Sequence, residues 1–233
     1  MAANKMNTPT AKRLAFAFTF ALAGMGYCKV PYLLQGHPMA AQGVYISSFI
    51  QLLPLVTFFR VYGLDTLREV IPGTVASILS ILRPKNLNSA LYSFLSVGFM
   101  AQAMASILFP TRMMSMMFGE PPSAFLVFLF QISGFMKYLL SIVCFTLKDG
   151  VEKGCLGAGP FRVLNLSVWY AATAVILRMV YAQTVNVAAG TESISLSPEA
   201  WFTTFALFGT LAIVSGFNAV GTTKKADTSI AAQ

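Results

Sequence analysis

Lys137 is the residue whose type and setting could do the most chemistry. It stands in the middle of "LFQISGFMKYLLSIVCF" (129–145), a run otherwise suited to hydrocarbon. At helical spacing Ser133, Lys137, Ser141 and Cys144 share a face, with Gly134 beside them. Small and hydroxyl residues mark the side on which membrane helices pack, so the face is expected to point into a bundle. A central lysine costs roughly 2.5–3.5 kcal/mol on insertion scales, so its ammonium should be coordinated. It could hold an anionic or strongly dipolar ligand, a carboxylate of another chain, or simply helix carbonyls and hydroxyls. Arg178 repeats the theme in the next run, on a stripe of Ser167, Tyr170, Ala171, Ala174, Arg178 and Tyr181. It lies near one end of that run, where it can snorkel to the interface or meet Glu192 or Glu199. Lys137, Ser133, Ser141, Arg178 and Tyr181 are therefore the expected contacts for a ligand or partner.

Other chemistries find little to work with. His37 is the one histidine, which excludes a bis-histidine haem, a His-rich metal site and a His-based triad within the chain. Cys28, Cys144 and Cys155 have no C-x-x-C spacing and suggest no disulfide framework. Met113, Met114, Met116 and Met117 could offer thioethers to copper, but "FPTRMMSMMFGEPPS" (109–123) is read as an interfacial loop dipping into the headgroups, its methionines an adaptable apolar surface, and no metal is expected. "GCLGAGP" (154–160) lacks the strand and the Lys-Ser/Thr of a phosphate loop and is read as a flexible connector. "NLS" (165–167) matches a glycosylation sequon at the start of a span on the inner side, where modification is not expected. No cofactor is indicated.

The elements that must position these residues are membrane spans. Only 10% of the 233 residues are charged, 56% are hydrophobic, and the mean hydropathy is +0.69, against nearer a quarter charged in soluble domains. The net charge of +8 comes from basic residues scattered between apolar runs, with no stripe to track a phosphate backbone, so nucleic acid is not a partner. Runs near 14–34, 43–60, 88–109, 123–147, 162–185 and 200–220 approach the roughly 20 residues that a crossing needs. The first could be a signal peptide, but "LAGMGYC" is a poor cleavage site and a retained helix is expected. None of the six contains Asp or Glu, which argues against a proton or cation carrier.

"IPGTVASILSIL" (71–82) is short for a crossing and opens on Pro-Gly. With six spans and the N-terminus inside, twelve of the thirteen positive charges in loops and tails fall on one side, and Arg112 alone on the other. A seventh crossing at 71–82 would divide them almost evenly, so the positive-inside rule favours six. The expected organisation is an all-α, polytopic transmembrane bundle with both termini cytoplasmic. It comprises a tail at 1–13, the membrane domain at 14–220 with an inner amphipathic segment at 61–87, and a disordered polar tail at 221–233. Pro54, one turn past Gln51, could kink the second span, and Gly209 and Gly216 lie seven apart on a close-packing face of the last.

The order of the last four spans, with "FP…FG" after the first and a short basic loop after the second, resembles small four-helix membrane families of the DoxX-like type over about 90–220. No residue role follows from that likeness. The expected function is a non-catalytic accessory or assembly subunit of a membrane complex, in contact with lipid and with protein partners or further copies of itself. The alternative is a transporter or channel for an anionic or neutral small molecule. An integral enzyme would have to work without histidine or membrane carboxylates.

Overall fold

The computed structural model describes residues 9–34, 53, 56, 58–63, 80, 81, 83–118, 123–189 and 197–230. Most of the run at 43–60, Gln51 and Pro54, most of 61–87, and Glu120 and Glu192 lie outside the described residues. Every regular element among the described residues is a helix: α1 (Pro9–Leu34), α2 (Leu87–Leu108), α3 (Pro110–Phe118), α4 (Ala124–Glu152), α5 (Gly159–Ala189) and α6 (Pro198–Ile230). Four of them, α2, α4, α5 and α6, are long and apolar enough to cross a membrane. At 1.5 Å per residue the 22 residues of α2 reach about 33 Å, enough for a hydrocarbon core of roughly 30 Å.

The ends of the helices follow from local sequence. Asn86 caps α2: the Ser89 amide donates to Asn86 Oδ1 at 2.8 Å, and the Asn86 amide donates back to Ser89 Oγ at 3.1 Å. This is a capping box with serine in the place of the usual Glu or Gln. Ser123 and Ser197 cap α4 and α6 through their hydroxyl oxygens, and Pro198 takes the first helical position of α6, where its missing N–H costs nothing. Gly154 ends α4 with φ +65°. The Cys155 amide donates to Gly150 O at 2.8 Å and the Gly154 amide to Val151 O at 3.1 Å, the paired bonds of a Schellman cap.

Three boundaries differ from the sequence reading. "PTRMMSMMF" is a helix, α3, with Pro110 at its start and Met114 buried. α4 continues past Phe145 and Leu147 to Glu152, so Lys148 is a helical residue and not the first of a loop. α6 continues to Ile230, through most of the stretch expected to be a disordered tail.

The chain divides into two compact units, and α2 and α4 each contribute to both. The first unit holds α1, the second half of α2 and residues up to Val143 of α4. Ala21, Met25 and Cys28 of α1 are buried with Phe128 and Phe135 of α4, and Leu22, Ile132, Tyr138 and Leu139 pack around them. Gly24 lies directly against the Phe135 ring, which leaves no room for a side chain at this position. Gly134 opens a second close approach, facing Ala103, Ser106 and Ile107 of α2. Small residues bring helices together here, as expected where lipid removes the hydrophobic drive for association.

The second unit holds the start of α2, the end of α4, α5 and α6. α5 packs along α6, and the Trp169 ring occupies the space at Gly216. A methyl group at Gly98 would come within 2.8 Å of Leu207. Gly209, by contrast, has nothing within 4 Å of the place a Cβ would take. Of the two glycines on the expected packing face of the last span, only Gly216 is in contact.

Candidate functional site

In the first unit, α4 carries Ser133, Lys137 and Ser141 at four-residue spacing. Ser141 is buried, and Ser133 and Lys137 are half-buried. The Ser133 hydroxyl donates to Phe130 O of its own helix at 2.7 Å. The Lys137 ammonium lies over the Phe130 ring, 5.2 Å from its centroid. Phe130 is seven residues earlier, so the lysine stem runs back along the helix toward its N-terminus, as long helical side chains do. A residue that is central by sequence thus carries its charge about one turn closer to one end. The aromatic face meets the ammonium with its negative quadrupole, a contact of about 0.5–2 kcal/mol depending on desolvation.

Lys137→Met keeps the volume and removes the charge. If the ammonium serves only packing, the variant is expected to melt in detergent at or above the wild-type temperature, because burying an ion is seldom the most stable arrangement. If it holds a ligand or partner, the same variant stays folded and loses that component on purification. Thermal melting together with analysis of what co-purifies checks both.

In the second unit the stripe on α5 faces away from its helix neighbours. Ser167, Tyr170, Ala171, Ala174, Arg178 and Tyr181 are all exposed. The face that packs instead carries Asn165, Val168 and Ala172, all buried. Arg178 is exposed, eleven residues before α5 ends at Ala189.

The sequence reading missed a connected polar group among the described residues. It lies in the second unit, where α2, α5 and α6 meet. Asn88 Nδ2 donates to Asn218 Oδ1 at 3.2 Å. Asn218 Nδ2 donates to the Tyr92 hydroxyl at 3.2 Å. The Tyr92 hydroxyl donates to Asn165 Oδ1 at 2.6 Å. Tyr92 and Asn165 are fully buried. The buried Cys144 thiol of α4 lies within electrostatic reach of Tyr92. One turn further along α4, Lys148 is buried at 0% exposure and sits 3.1 Å from Glu152 Oε1. The Asn165 side chain of the "NLS" sequon is committed to Tyr92 and is not presented to solvent.

Two signals could have found this group. Ser89, Tyr92, Ser93 and Ser96 form a polar stripe at helical spacing on α2, and all four are buried. Asn88 and Asn165 each fall within the first turns of their helices, and Asn218 falls near the end of the apolar part of α6.

No family model matches the chain, and neither a curated protein nor a solved structure is similar to it. The topological likeness of residues 90–220 to the DoxX-like type therefore adds nothing to the geometry.

Proposed function

We propose that this protein is a non-catalytic accessory or assembly subunit of a membrane complex, threaded six times with both termini in the cytoplasm. The observation that carries the reading is the uncovered face of α5. Its Ser167, Ala171 and Ala174 are small, its Tyr170 and Tyr181 are aromatic, and all are exposed along a single helix. Small residues let a second helix approach closely, and tyrosine supplies contact area with a polar tip. Inside the second unit, the asparagine and tyrosine side chains bind one another across helices. Such bonds hold spans together in lipid.

The test is assembly in a mild detergent. The wild-type chain is expected to run with fixed partners or further copies, at a mass above that of one chain in its micelle. Ala174→Leu, on the exposed face, should leave melting unchanged and return the protein to single chains. A wild-type chain that runs alone at every concentration would sink the reading. Lys137 favours a second one, passage of an anionic or neutral small molecule, because its ammonium is half-buried inside a span. Flux into vesicles that is lost in Lys137→Met and kept in Ala174→Leu would select that reading instead.

A further inference from the structure

The polar chain in the second unit has a direction. Asn88 donates to Asn218, Asn218 to Tyr92, and Tyr92 to Asn165. The Tyr92 hydroxyl spends its one proton on Asn165 Oδ1 and accepts from Asn218. In this orientation Oδ1 of the Asn165 amide faces Tyr92 and Nδ2 points elsewhere. Asn165 Nδ2 is buried and has no hydrogen-bond partner. Asn165 itself is at 0% exposure, so the open donor belongs to a side chain held rigidly inside the unit. Leaving such a donor unmatched is costly, and native interiors match nearly all of them. Ser93, next to Tyr92 on α2, has a second buried hydroxyl with no partner.

We propose that Asn165 Nδ2 is the head of a small binding site for a hydrogen-bond-accepting oxygen. Donors passed along from Asn88 polarise one another, which strengthens the last N–H as a donor. The chemistry is that of an uncharged or anionic oxygen: an internal water, or the ester or phosphate oxygen of a lipid. Full burial of Asn165 and Tyr92 suits the smaller occupant. An internal water commonly makes about three hydrogen bonds to buried polar groups. The site does not depend on the assembly reading, since Asn165 lies on the packed face of α5 and not on the exposed one.

The seven asparagines of the chain make the test tractable. The full-length protein is prepared with isotope-labelled asparagine in deuterated detergent stripped of lipid, and its side-chain amide protons are observed by NMR. The Asn165 pair is the one that Asn165→Asp removes; that variant keeps an oxygen toward Tyr92. A through-space signal between this pair and water is the expected result. A signal that arises only on adding phosphatidylglycerol vesicles, and comes from the lipid's glycerol protons, upholds the site with a lipid oxygen as its occupant. An Asn165 pair that contacts neither water nor lipid, or an amide turned over so that Nδ2 donates to Tyr92, overturns the proposal. Should Asn165→Asp fail to fold, high-resolution density for the wild-type protein decides the same question. Density within hydrogen-bond distance of Nδ2 supports the site, and a protein carbonyl there removes it.

Discussion

Gly134→Val is expected to lower the stability of the protein by about 3 kcal/mol, at the upper end of overpacking costs. A Cβ at this position would lie 2.8 Å from Ile107 Cγ1, 3.0 Å from Ser106 Cβ and 3.2 Å from Ala103 O. Side-chain ends can swing away, but the carbonyl of Ala103 is backbone in the middle of α2 and cannot. The helices must therefore part, and the dispersion contacts along their seam weaken together. Ser106 and Ala103 are fully buried, which leaves no slack on that side. Gly209→Ala is the matched control. Nothing stands within 4 Å of its Cβ position, and alanine is favoured over glycine in a helix by up to about 1 kcal/mol. Melting curves in the same detergent should show a large loss for the first and no loss for the second. Equal behaviour of the two would mean that α2 and α4 do not approach each other at Gly134.

The positions of the helices were legible because length and apolarity alone define a crossing. The run at 88–109 corresponds to α2 (Leu87–Leu108), that at 123–147 to the cap and first part of α4, and those at 162–185 and 200–220 lie within α5 and α6. Their ends were less legible. "LKDGVE" reads as a loop by its charges, yet Lys148 is enclosed by the second unit and its neighbour at i+4 is Glu152. Tertiary burial decided that turn, and a one-dimensional pattern does not contain it. The same holds for α3, where the four methionines and the three prolines of 109–123 suggest a loop. Methionine is a good helix former, and Pro110 sits where proline is tolerated.

The faces of the helices were the hardest to read. In water the apolar side of a helix is the packed side, but in lipid both sides are apolar and the period carries little information. α5 shows this most clearly. Its small and tyrosine stripe stands out in the sequence but is exposed, while Asn165, Val168 and Ala172 make the packed face. Asn165 looks unremarkable until Tyr92 is seen 2.6 Å away, across 73 positions of sequence. Lys137 was conspicuous for its charge, but the route of its stem back to Phe130 is a rotamer choice that composition does not fix.

The other large effect is expected at the buried lysine of the second unit. Glu152→Gln should cost about 3–5 kcal/mol, the usual range for breaking a buried ion pair by removing one partner. Lys148 is at 0% exposure and Glu152 at 12%, with 3.1 Å between Nζ and Oε1. Removing the carboxylate charge takes the Glu152 ion pair from an ammonium enclosed by protein, which keeps its other interactions, the Phe145 ring at 6.0 Å among them. Removing the other partner is a different experiment. In Lys148→Met the apolar side chain fills a similar volume, and Glu152, which retains some exposure, can turn toward water. That variant should be close to neutral, since well-packed apolar replacements of buried ions often are. The asymmetry between the two variants is the measurement, taken from thermal or denaturant unfolding of the full chain in one detergent. Similar small losses in both would show that the pair is solvated and that Lys148 is not enclosed. A severe loss in Lys148→Met alone would mean that the ammonium holds the end of α4 through its hydrogen bonds more than through Glu152.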